Sequence, residues 1–135
     1  MGRIILGVIA GFIAWSIIWV GGGEAMTKLS PAWYGVQKLA FEKASINNTP
    51  FEANSGFMLF ELVHSVITSL LSGFLAAFVA NENRRAPLIL AILLLVVGIA
   101  VQASVWSLLP VWYHLAFLLL LVPMTIAGGY LKKAT

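Results

Sequence analysis

Glu61 and His64 are the pair in this sequence whose types and spacing could do chemistry. Three residues apart on a helix, a carboxylate and an imidazole occupy neighbouring positions of one face. They could relay a proton, or offer one oxygen and one nitrogen to a metal ion. The same spacing supplies ligands in four-helix di-iron proteins, but those need a second Glu-x-x-His and further glutamates; here there is one copy. With Glu24 and His114 added, the most that can be assembled is one mononuclear site, its ligand candidates Glu61, His64 and His114 and its metal zinc, iron, manganese or copper. A bis-histidine haem through His64 and His114 is the other cofactor arrangement these residues allow. Nothing else in the chain supports either, so the expected cofactor is none.

Other chemistries lack their parts. The chain has no cysteine and no aspartate, which excludes disulfides, thiolate sites and a Ser-His-Asp set. It has no nucleophile elbow, and the run Gly21, Gly22, Gly23 lacks the lysine and strand-to-helix context of a phosphate-cradling loop. Each candidate also has a structural reading. Glu61 can be a neutral or bonded group that locks helix packing, Gln102 a hydrogen bond between helices, His114 an interfacial residue beside Trp112 and Tyr113, and Glu24 a charge at the water boundary.

The element that must position these residues is the stretch 57–80. At about 100° per residue, Glu61, His64, Ser65, Thr68, Ser69 and Ser72 fall in one sector, while Val63, Val66, Ile67, Leu70, Phe74 and Phe78 fall opposite. Lipid can cover the second side; the first needs protein or water. Ser65, Ser69, Gly73 and Ala77 recur every four residues, a spacing that lets helices approach closely, and Gly7 with Gly11 forms a second such pair.

The rest of the chain fits the same solvent. Of 135 residues 61% are hydrophobic and 10% charged, against roughly a quarter charged in soluble domains. Four apolar runs, 4–23, 57–80, 88–109 and 111–131, each suit a bilayer core of ~30 Å. The expectation is an all-α integral membrane protein, a single domain of four transmembrane helices in an antiparallel bundle. A cleavable signal peptide is the competing reading of the first run, but no A-x-A-like site follows it.

Between the first two runs lies the loop 24–56. Ser30 followed by Pro31 predicts a capped helix start, and Trp33, Val36, Ala40 and Phe41 a short amphipathic helix on the membrane surface, despite Leu39. Asn47, Asn48, Thr49 and Pro50 predict a turn. Four spans put Arg3, Arg84, Arg85, Lys132 and Lys133 on one side, opposite the loop, so the positive-inside rule predicts cytoplasmic termini in a bacterial inner membrane. Trp15, Trp19, Trp33, Trp106 and Trp112 all map to the loop side.

At 1.5 Å per residue, Glu61, His64, Gln102 and His114 lie ~5–10 Å below the loop-side boundary. With Glu24 they could share one pocket roofed by the loop. An ionisable group at such depth is a functional-site hypothesis. The expected function is non-enzymatic: an accessory, assembly or interaction module meeting the bilayer and another membrane protein or a second copy of itself. A small proton-coupled transporter using Glu61 and a metal- or haem-binding membrane protein are the alternatives. Nucleic acid is not an expected partner, since no basic cluster sits on a soluble element.

Overall fold

The computed structural model describes residues 2–47, 49, 51 and 55–132. Every regular element among them is helical: α1 (Gly2–Leu29), α2 (Val36–Asn47), α3 (Ser55–Ala80), α4 (Arg85–Ser104) and α5 (Val111–Tyr130), with a π-helical turn at Pro31–Gly35 and a 3-10 turn at Trp106–Leu108. α1, α3, α4 and α5 are each long and apolar enough to cross a membrane. They form a four-helix bundle, and α2 with the π turn folds over one end.

α3 is the central member because it has the most to hide. Ser65, Thr68, Ser69 and Ser72 are fully buried, while Val63, Ile67 and Phe78 of its other side lie exposed. Two helices cover the polar stripe. α1 runs antiparallel to it, Gly7 against Ala76 and Ala80, Gly11 against Ser72, and the Trp15 indole N–H donates to Ser69 Oγ over 3.3 Å. α5 runs parallel to it, with Gly73 against the Thr125 carbonyl and Gly128 against that of Leu70. The small-residue seams are thus used within the chain, and a Cβ at Gly7 would stand 2.5 Å from the Ala76 carbonyl oxygen. α4 packs on α5 and, less extensively, on α1 and α3.

Three boundaries differ from the sequence reading. α1 continues through its three glycines to Leu29, with the His64 ring packed on Gly22 and the side chains of Tyr34 and Lys38 on Gly23. α4 stops at Ser104 instead of reaching residue 109; Pro110 forces Leu109 into an extended conformation (φ −126°, ψ 153°), and the chain between turns as a single 3-10 unit. Ser30 makes no side-chain capping bond, and Pro31 instead opens the π turn. Across the π turn and α2 the inward stripe is Tyr34, Lys38, Phe41 and Ala44, while Val36 is exposed. The turn expected after Asn47 lies in part outside the described residues, as does Lys133.

The α3–α4 connection is a compact double cap. Asn81 takes the left-handed conformation (φ 56°). The Asn81 N–H donates to the Phe78 carbonyl over 3.3 Å and the Glu82 N–H to that of Ala77 over 3.1 Å, which is a Schellman ending. The Glu82 carboxylate then accepts from the N–H groups of Arg84, Arg85 and Ala86 at 3.3, 2.9 and 2.5 Å, the first donors of α4. Asn83 Nδ2 donates to the Lys132 carbonyl over 3.0 Å, and the Arg3 guanidinium to that of Val79 over 3.3 Å. All four span ends on the terminal side meet at this turn.

Partial burial alone would push the Glu82 carboxyl up, but the three backbone donors and Arg85 hold it below the usual carboxylate range. A carboxyl held low in the folded chain contributes its full stability above the unfolded value of about 4.3 and loses it as pH falls through the folded value. Glu82→Gln should therefore lower the unfolding midpoint in mild detergent at pH 7, by the ~1 kcal/mol of a lost cap. The difference between variant and wild type should shrink as the pH falls below 4; an equal difference at pH 7 and pH 3 would count against the cap.

Candidate functional site

The loop-side end of the bundle is hollow. A cavity of about 360 Å³ lies between the helices and the roof formed by the π turn and α2. α3 contributes Glu61 and Phe57, α1 Trp19 and Glu24, α4 Gln102, α5 Tyr113, and the roof Tyr34, Lys38 and Glu42. Among the described residues two polar bonds fasten the roof. The Tyr34 hydroxyl donates to Glu61 Oε1, and Lys38 Nζ donates to Glu24 Oε1 over 2.6 Å. Lys38 also lies 4.0 Å from Glu42, one helical turn on. Apolar packing closes the far end, where Phe41, Ala44 and Phe51 meet Val105 and Leu108.

Glu61 is the chemical centre of this space. Only 9% of it is exposed, and one carboxylate oxygen is held by Tyr34 while the other has no partner among the described residues. Tyr34 is itself 2% exposed, and burial, then the bond to Glu61 and its charge, push the phenol up. It stays a neutral donor at any pH the protein meets. Gln102 presents a second such group: one atom of its side-chain amide pairs with His114 Nδ1, and the other has no partner among the described residues.

The sequence-predicted constellation is only partly assembled. Glu24, Glu61 and Gln102 share the cavity; His64 and His114 do not line it. His64 turns to α1, stacked on Trp19 with ring centroids 4.8 Å apart and an interplanar angle of 8°. Its Nε2 lies 3.1 Å from the Ile18 carbonyl and must donate to it, since a carbonyl only accepts. Gly22 makes room for that ring. His64 Nδ1 is buried without a partner among the described residues. His114 is fully buried, stacked on Trp106 at 4.4 Å, and its Nε2 donates to the Trp106 carbonyl over 3.1 Å. It is therefore an internal pin for the shortened end of α4, not an interfacial residue. Glu61, His64 and His114 do not converge, and no three His, Cys, Asp or Glu among the described residues form a ligand cluster. The same holds for the bis-histidine arrangement, since both nitrogens of His114 and one of His64 already face this chain's own groups.

Below Glu61 the stripe is packing. Thr68 donates to the His64 carbonyl at 2.6 Å and Ser72 to that of Thr68 at 2.7 Å, each hydroxyl folding back one turn. Ser69 takes the Trp15 bond, and Gly73 and Ala77 are buried. Ser65 Oγ has no partner among the described residues. Sequence reasoning missed Tyr34, Lys38 and Tyr113. The first two are legible as a 34, 38, 41 helical stripe once the π turn is allowed to continue into α2; Tyr113 was hidden by its neighbours in the aromatic belt. No protein-family model, curated protein or solved structure matches this chain.

The roof bond has a measurable consequence. Tyr34→Phe leaves the Glu61 carboxyl buried without its donor, at a cost of about 1–3 kcal/mol. The drop in unfolding midpoint on Tyr34→Phe should be larger in the wild-type chain than in Glu61→Leu, where the phenol has no acceptor left to lose. Full additivity of the two substitutions would show that the two groups do not act as a pair.

Proposed function

We propose that this chain is a non-enzymatic module of a bacterial inner membrane, an accessory protein that binds a small ligand in its loop-side cavity. Its termini lie in the cytoplasm and its roofed end faces outward. The observation that carries this reading is the cavity itself, about 360 Å³ in volume and lined by Glu61 and Gln102. Each offers an unpartnered polar atom at a depth where lipid offers none. Binding is favoured over through-transport because the terminal half is filled by Leu90, Leu94, Leu121, Ala76 and Ala86, all close to fully buried. Orientation rests on Arg3, Arg84, Arg85 and Lys132 gathered on the terminal side.

Both parts are open to experiment. The chain has no cysteine, so single cysteines report topology directly: Ser45→Cys should react with a membrane-impermeant maleimide in intact cells, and Asn83→Cys only after permeabilisation. The reverse pattern overturns the orientation. For the cavity, a small-molecule extract of the source membranes should raise the unfolding midpoint of the wild-type chain and not that of Met58→Trp, which fills the space. An equal response, or none, overturns the binding reading.

A further inference from the structure

The loop-side space has two chambers. Beneath the larger one lies an apolar chamber of about 130 Å³ between α1, α4 and α5, walled by Trp15, Leu94, Gly98, Phe117 and Leu121. Trp19, Val101 and Gln102 line both, so a single layer of side chains divides them. Val20 of α1 and Val101 of α4 edge the upper chamber and are 62% and 52% exposed on the outer, lipid-facing surface. The α1–α4 seam is less extensively packed than α1 on α3 or α4 on α5.

The upper chamber has a sign. Among the described residues Glu24, Glu42 and Glu61 line it against one cation, Lys38, and Lys38 is already committed at 2.6 Å to Glu24. Trp19, Tyr34, Phe57 and Tyr113 contribute aromatic rings to the remaining walls, beside aliphatic side chains such as Met58 and Val105. Carboxylate and ring quadrupoles together favour a cationic nitrogen, and an alkylated ammonium above all, since it gives up little hydration on entering. Among the described residues the lower chamber carries no charge, and Gln102 is its polar member at the boundary.

We infer that the ligand is an amphiphilic ammonium, its cationic head held by Glu61 and the aromatic walls above, its apolar tail passing the Trp19–Gln102 layer into the chamber below, and its route of arrival the α1–α4 seam. This deepens the binding reading and rests on it. A lipid headgroup and a free alkylamine share this chemistry.

The test uses the full chain in nanodiscs of phosphatidylethanolamine and phosphatidylglycerol, read by its tryptophan fluorescence. Octyltrimethylammonium should bind saturably, with octanoate and tetramethylammonium each weaker by about tenfold or more. Glu61→Gln, with near-ultraviolet circular dichroism matched to wild type, should weaken octyltrimethylammonium by about tenfold and leave octanoate unchanged. Val97→Phe, which intrudes on the lower chamber, should weaken octyltrimethylammonium and spare tetramethylammonium. Competition when phosphatidylcholine replaces phosphatidylethanolamine supports the inference with a lipid headgroup as the source; undiminished binding supports it with a free amine. Octanoate binding as tightly as octyltrimethylammonium overturns the cationic head and leaves the cavity reading standing. Equal affinity for tetramethylammonium overturns the tail. If none of these probes binds, the inference falls, and the response to membrane extract decides separately whether the cavity holds anything.

Discussion

A carboxylate set into a lipid-embedded helix must find its partners inside the protein, and the bond from Tyr34 to Glu61 meets that demand. The donor comes from the loop, so the loop cannot lie loosely on the membrane; it is drawn down as a roof. Once Tyr34 is anchored, Lys38 follows one turn later and reaches Glu24, and Phe41 and Ala44 follow on the same stripe to cap the shortened end of α4. The cavity is the space left under a roof held at its edges.

The same demand organises the terminal half differently. There the polar atoms are hydroxyls, and Thr68, Ser72 and Thr125 satisfy themselves on carbonyls four residues back. They need no partner helix to bond to, only a close one to exclude lipid. Glycines at 7, 11, 73 and 128 allow that closeness. One stripe thus serves two purposes, with the change between them about one turn below Glu61.

What was legible in the sequence follows from what periodicity measures. The inward sector of α3, the four spans and the shared depth of Glu24, Glu61 and Gln102 all depend on rise and turn along single helices, and these hold in the structure. The histidines show the limit. His64 stands three residues from Glu61, which is about 60° around the helix, enough to carry it from the cavity to the Trp19 face of α1. His114 depended on where α4 ends, and Pro110 ends it early enough for the Trp106 carbonyl to reach the ring. Which helix lies on which side was not readable, because the close partners α3 and α5 are not consecutive in the chain. Tyr34 was lost for a local reason: a π turn shifts the phase of the loop helix, so a stripe counted at the ordinary pitch from Pro31 points the wrong residues inward.

The parallel seam between α3 and α5 bears on how the protein is made. Its glycine contacts, Gly73 to Thr125 and Gly128 to Leu70, join segments separated by the whole of α4. During synthesis the hydroxyl flank of α3 enters the bilayer before its second cover exists. A nascent chain lacking α5 therefore leaves the Leu70 and Gly73 side of α3 without the helix that covers it. Biogenesis of this fold is in that sense a waiting problem, because the second cover of α3 is made after α4.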